Sequence, residues 1–184
     1  MQGSSYRISV RKPKLLEDSM FLVDDNVVYP TYGLAQVVAL EKRKVLGKEQ
    51  SFYKLRIRKN NLHVMIPVDS AEKVGLREVI SPDDVHMVFE ILKKKAPMTK
   101  TPWHHRFNKN VKKLKTGSIF ETAEVMRDLM ILNNMKSLAI KETRMMNRAK
   151  KLVVSEIAFS REVPEEMVEK EIEDTLQLKT PAIL

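Results

Sequence analysis

The residues with the most distinctive chemistry stand together. Trp103, the only tryptophan, is followed by His104, His105 and Arg106, and Lys93, Lys94, Lys95 and Lys100 precede it. Lys109, Lys112, Lys113 and Lys115 come after. From Ile91 to Phe120 there is no Asp or Glu. Nine of the chain's 33 Lys/Arg fall here, and the other 24 are matched by 24 Asp/Glu elsewhere, so this segment carries the whole net charge of +9. A charge concentrated in this way makes a local positive field suited to polyanions, nucleic acid above all. An aromatic ring inside that field can stack on bases or wedge between them. The pattern fits a second use equally well. Trp103, Phe107, Val111 and Leu114 fall on one helical stripe, which is core spacing, and the lysines would then be a solvated face.

Other chemistry is missing. The five glycines are scattered, and Gly47-Lys48 lacks the frame of a phosphate-binding loop. Neighbouring His104 and His105 point about 100° apart on a helix and do not share one ion, so no metal site and no cofactor are expected. No Ser–His arrangement suggests a triad, and the paired carboxylates crowd into one acidic segment, Glu165 to Asp174. The chain reads as a non-enzyme with no catalytic residue. Zero cysteines among 184 residues exclude disulfides and fit a reducing compartment. No apolar run approaches a membrane span, and the polar, basic start lacks the apolar core of a secretory signal. A cytoplasmic, nucleoid-associated monomer with no membrane role is expected.

The elements that must hold these residues change period near residue 80. Before it the signals are strand-like: Val27–Tyr29, Leu34–Leu40, Phe52–Arg58 and Leu62–Val68, with turns at Gly47-Lys48 and Asn60-Asn61. Tyr53, Leu55 and Ile57 alternate with Lys54, Arg56 and Arg58. A small, strongly bent sheet or barrel with an open edge follows, and an open edge is a site for strand addition. After residue 80 the period is helical. Ser81-Pro82-Asp83-Asp84 starts a first helix, Thr101-Pro102 a second, the capping box Ser118–Glu121 a third, Ile140 a fourth running to Phe159, and Pro164 an acidic fifth. The eleven methionines, including Met126, Met130, Met135, Met145 and Met146, read as core filler. The expected architecture is α+β: a flexible basic tail over 1–19, a β domain over 20–80 and an all-α domain of about five helices over 81–180. Residues 93–101 form a partly unstructured linker.

Val27-Val28-Tyr29-Pro30-Thr31-Tyr32-Gly33-Leu34-Ala35-Gln36-Val37 resembles the opening of the CarD/CdnL family of bacterial transcription regulators. The polymerase-interacting module of transcription-repair coupling factors shares that opening. Ile66-Pro67-Val68 and Ala71–Val79 resemble the end of the same module. Trp103…Arg106-Phe107…Lys113-Leu114…Gly117-Ser118, then Ala123–Leu129 and Glu142–Met146, resemble the family's helical domain. The likeness runs in one order over residues 20 to 178. It implies a Tudor- or SH3-like β domain that binds the β subunit of RNA polymerase, and a helical domain that touches promoter DNA with little sequence preference. In the family a tryptophan enters the minor groove at the upstream edge of the bubble and stabilises the open complex. Trp103 matches it, which favours an exposed ring. Arg106, Lys109, Lys112, Lys113 and Arg144 are then the candidate phosphate contacts.

Arg43, Val45 and Met65 are the candidate polymerase contacts. Arg43 matches the first of two arginines common at that edge, and Met65 stands at the second, which points to apolar packing there. His104 and His105 stand where a basic residue often follows the tryptophan, and Thr143 stands where a lysine precedes Arg144. Two other readings compete: an architectural DNA-binding protein independent of polymerase, and an interaction adaptor with a buried Trp103.

Overall fold

The computed structural model describes residues 19–96 and 101–177. The expected tail up to residue 18, part of the expected linker and the last residues of the chain lie outside them.

Five strands form one antiparallel sheet: β1 (Asn26–Tyr29), β2 (Gly33–Val45), β3 (Lys48–Ile57), β4 (His63–Pro67) and β5 (Arg77–Glu78), in the order β4-β3-β2-β1-β5. The two-residue β5 has no pattern of its own and exists because β1 pairs it, Val27 opposite Glu78 and Val28 opposite Arg77. The alternation of β3 holds. Tyr53, Leu55 and Ile57 are buried with Val27, Ala35 and Val37 in a core of their own. β2 runs on past the expected Leu40 as a long hairpin with β3. Leu46 and Gly47, both at positive φ, close it, the two-residue turn whose twist matches paired strands. A bulge between Val37 and Ala39 bends the hairpin as it leaves the core.

The helices are α1 (Val85–Lys93), α2 (Trp103–Lys115), α3 (Ile119–Met135), α4 (Ile140–Arg161) and α5 (Glu165–Thr175). Ser81 Oγ accepts from the Asp84 amide in a 3₁₀ turn leading into α1. Ser118 Oγ accepts from the Glu121 amide, but the Glu121 carboxylate turns to the Thr116 hydroxyl, so only one arm of the capping box forms. A second core gathers Val88, Leu92, Ala123, Met126, Leu129, Val153, Ile157 and Ile172, with α3 packed on α1, α2 and α4. Met126, Met130 and Met145 fill it as expected; Met135, at the end of α3, is exposed. The apolar stripe of α2 sinks less than its spacing suggests. Phe107, Val111 and Leu114 are half-buried, and Asn110 is the buried residue of that helix.

The two cores are bolted together. Arg77 donates through both terminal nitrogens to Glu156 of α4, at 2.5 and 2.8 Å, and through Nε to the Gly117 carbonyl at 2.8 Å. Glu156 is buried and also accepts from the Ile80 amide. Gly117, at φ +76°, lies so close to Pro30 that a Cβ would stand 2.5 Å from its Cγ. Gly33, at φ +86°, lets β2 pass beside Leu152 of α4.

Candidate nucleic-acid interface

Trp103 opens α2 and is 44% exposed. It meets Phe107 edge-on with ring centres 6.4 Å apart, and His104 edge-on at 6.1 Å. First-turn placement explains this. The stripe that seats Phe107, Val111 and Leu114 begins one turn too early for Trp103 to be covered. Of the two uses open to this ring from its spacing, the exposed one is what the fold adopts.

Arg106 does a different job from the one expected. Its guanidinium grips Glu142 of α4, Nε to Oε1 at 2.8 Å and Nη2 to Oε2 at 3.1 Å, and Nη1 donates to the Thr101 carbonyl. Its side chain is 14% exposed and that of Glu142 1%. A guanidinium spent on a buried carboxylate is not free for a phosphate. It fixes the first turn of α2 against the first turn of α4, and so it aims Trp103. Lys113 is also engaged, by Glu124 of α3. That hydrogen bond, with the nearby positive charges of Lys113, Arg127 and Lys94, holds the Glu124 carboxyl below its ordinary pKa against the opposing effect of partial burial. Lys109 and Lys112 are exposed and make no ion pair among the described residues.

The larger cationic surface lies on α4. Lys141, Arg144, Arg148 and Lys151 fall at i, i+3, i+7 and i+10, within a sector of about 80° at 3.6 residues per turn. All four are exposed, and none pairs with a carboxylate among the described residues. The opposite outcome holds on the side of α4 that faces α5. There Lys150 meets Glu169 and Glu173, and Arg161 meets Glu171. Burial works against the charge of Lys150, yet hydrogen bonding to Glu173 and the pull of both carboxylates raise its pKa. The acidic α5 thus neutralises one flank of α4 and leaves the other bare. The chain's sequence flagged Arg144 alone; the spacing of its three companions was the signal available.

α2 and α4 run side by side and enclose, with Pro30, Thr31 and Val74, a cavity of about 450 Å³. Phe107, Val111, Leu114 and Met145 give it an apolar floor, and Lys115, Lys141, Arg144 and Arg148 a cationic rim.

The candidate contacts on the sheet share one face. Across β2, β3 and β4, Arg43 pairs with Gln50, Val45 with Lys48, and Lys54 with Met65. Paired residues, and every second residue along a strand, lie on the same side, so Arg43, Val45 and Met65 all stand on the outer side, with Phe52 between them. They do not share an edge. β4 borders the sheet on one side. From Ala39 to Val45, β2 has no strand on its other side among the described residues. Arg43 is held by Glu41, whose pKa is lowered first by that hydrogen bond.

Two family models match this chain: the CarD-like/TRCF RID domain over residues 21–80, and the CarD C-terminal domain over residues 87–173. The chain belongs to the CarD/CdnL family. It is 33% identical over 149 residues to "Putative transcription factor YdeB" of Bacillus subtilis (strain 168), spanning 81% of this chain and 97% of that protein. Among solved structures, CdnLNt from Myxococcus xanthus is 44% identical over 34% of this chain and 89% of that one, with a TM-score of 0.30. CarD/CdnL proteins are transcription regulators rather than enzymes. Among the described residues no helix is long and apolar enough to cross a membrane, and no cluster of side chains could hold a metal ion.

Proposed function

We propose that this CarD/CdnL protein binds the RNA polymerase β subunit through its sheet and stabilises the promoter open complex through its helices. The observation that carries the reading is an exposed tryptophan at the start of α2, whose first turn Arg106 ties to the start of α4, and along α4 a cationic stripe with no carboxylate partner among the described residues. Residues 20–80 dock and residues 81–180 touch promoter DNA. The free border of β2, Ala39 to Val45, offers backbone donors and acceptors to a strand of the polymerase. Arg43 supplies charge beside it, and Val45 and Met65 supply apolar contact on the outer face.

Docking raises the local concentration of the helices at the DNA, so a few phosphate contacts suffice. Lys109, Lys112, Lys141, Arg144 and Arg148 hold the backbone and carry no base code. Trp103 supplies what depends on the state of the DNA. It fits where the minor groove is opened at the bubble edge, and a ligand shifts an equilibrium only by such a difference in affinity. The protein acts in the cytoplasm as a monomer.

Co-purification with RNA polymerase tests the docking half. The wild-type chain is expected to retain the polymerase, and Arg43→Glu to retain clearly less at an unchanged melting temperature. Equal retention by both removes Arg43 from the docking surface. No retention by either favours an architectural DNA-binding protein.

A further inference from the structure

The cationic surface does not end where the helices end. Arg148 and Thr31 line the cavity described above and also a second one of about 750 Å³. The far wall of the second belongs to the sheet, at the turn after β3. Arg58 and Lys59 stand there, with Lys151 of α4 opposite and Tyr32 exposed beside them. The two cavities form one seam that crosses from the helices onto the β domain.

Seven Lys and Arg side chains line the seam, and none has a carboxylate partner among the described residues. Glu165 is the one acid lining either cavity. Arg58 is held, but by neutral groups: its guanidinium lies 4.5 Å over the Phe159 ring and donates to Asn26 Oδ1. These contacts order the side chain and leave its charge uncompensated. Arg148 likewise donates to the carbonyls of Pro30 and Thr31, at 3.4 and 3.3 Å. On the opposite flank of α4 the cations are met by acids, Lys150 by Glu169 and Glu173 and Arg161 by Glu171, so the bare seam is not the general state of that helix.

Size points to the occupant. From Lys141 to Lys151, α4 rises about 15 Å, the length of roughly four base pairs, and duplex DNA offers a negative charge about every 1.7 Å of its axis. A recessed track of that length, lined by seven cations against one acid, matches a phosphate backbone.

We propose that the β domain is itself part of the DNA interface. Lys59 and Arg58 grip the backbone of the duplex and continue the track that begins at Lys141. This rests on the reading that the α4 stripe binds promoter DNA. It goes beyond that reading because the domain assigned to polymerase then holds both partners at once. The Arg77–Glu156 bolt fixes Lys59 relative to Trp103, so no hinge motion has to be frozen out on binding.

The test uses the full chain, a short duplex of arbitrary sequence and titrations at several salt concentrations. Lys59→Ala, which leaves every cation of α4 in place, is compared with Lys141→Ala with Arg144→Ala. Both variants are expected to weaken binding and to flatten the log–log salt slope, by up to about 0.9 for Lys59→Ala and about 1.8 for the α4 pair. Lys59 is exposed and makes no ion pair among the described residues, so melting temperature and co-purification with polymerase should not change. If Lys59→Ala binds like wild type while the Lys141/Arg144 pair is weakened, the β domain lies off the track and this inference falls alone. If neither variant alters binding, the DNA reading of α4 falls with it.

Discussion

α2 and α4 are both basic helices, and they use their charge differently. α2 carries Arg106, Lys109, Lys112, Lys113 and Lys115 with no acid among them, yet Arg106 and Lys113 are taken up by Glu142 and Glu124. α4 includes acids of its own and is packed against an acidic helix, yet four of its cations stand free in a line. Net charge in a sequence window is thus a poor measure of charge offered to a partner. What decides is which face the carboxylates of neighbouring elements reach. α5 covers one flank of α4, and Glu124 of α3 reaches only the last turn of α2.

The largest expected effect breaks the paired side of this comparison. Arg106→Ala leaves Glu142 buried without its partner, which typically costs about 3–5 kcal/mol. A marked fall in melting temperature is expected, and an unchanged one would mean that Arg106 is free for DNA after all. Removing the free side should do the reverse. Lys141→Ala, Arg144→Ala and Arg148→Ala together are expected to keep the fold and lower the salt slope of DNA binding by up to about 2.7, at roughly 0.9 per contact. Lys109→Ala with Lys112→Ala should lower it by up to about 1.8. A larger loss from the α2 pair than from the α4 triple reverses the ranking proposed for the two helices.

The smallest effect probes the boundary between paired and free. Glu124→Gln releases Lys113 at neutral pH and is expected to raise the salt slope by up to about one contact. Acid should act in the same direction. The Glu124 pKa is lowered on folding, so its stabilising contribution is present above the unfolded value near 4.5 and is lost as pH falls through the folded one. A carboxyl resonance of Glu124 that titrates at or above 4.5 would deny the Lys113 contact.

Much of this was legible in the sequence, for stated reasons. Ser81-Pro82 and Ser118…Glu121 mark helix starts through local hydrogen bonds, which need no tertiary context. The alternation of β3 and the extent of the family resemblance gave the sheet and the order of the two units. Three things were hidden. β5 exists only through pairing with β1. The fate of Arg106 depends on Glu142, 36 residues away, and a lone basic residue in a basic run gives no hint of a buried partner. Arg43 and Met65 share a face but not an edge because β3 lies between their strands, a matter of strand order that no local pattern records. The stripe of α4 was readable from spacing, but its meaning required seeing which flank α5 covers.

The central claim is that Trp103 acts on opened DNA and not as core. The most direct measurement is the lifetime of the polymerase–promoter open complex with Trp103→Ala, with the melting temperature of the same variant alongside. A ring this exposed contributes little packing, so a stability change of about 1 kcal/mol or less is expected. Polymerase co-purification should be intact and the open complex clearly shorter-lived. A drop of about 3–5 kcal/mol, the cost of truncating a core tryptophan, with an unaltered lifetime for the folded fraction would contradict the account.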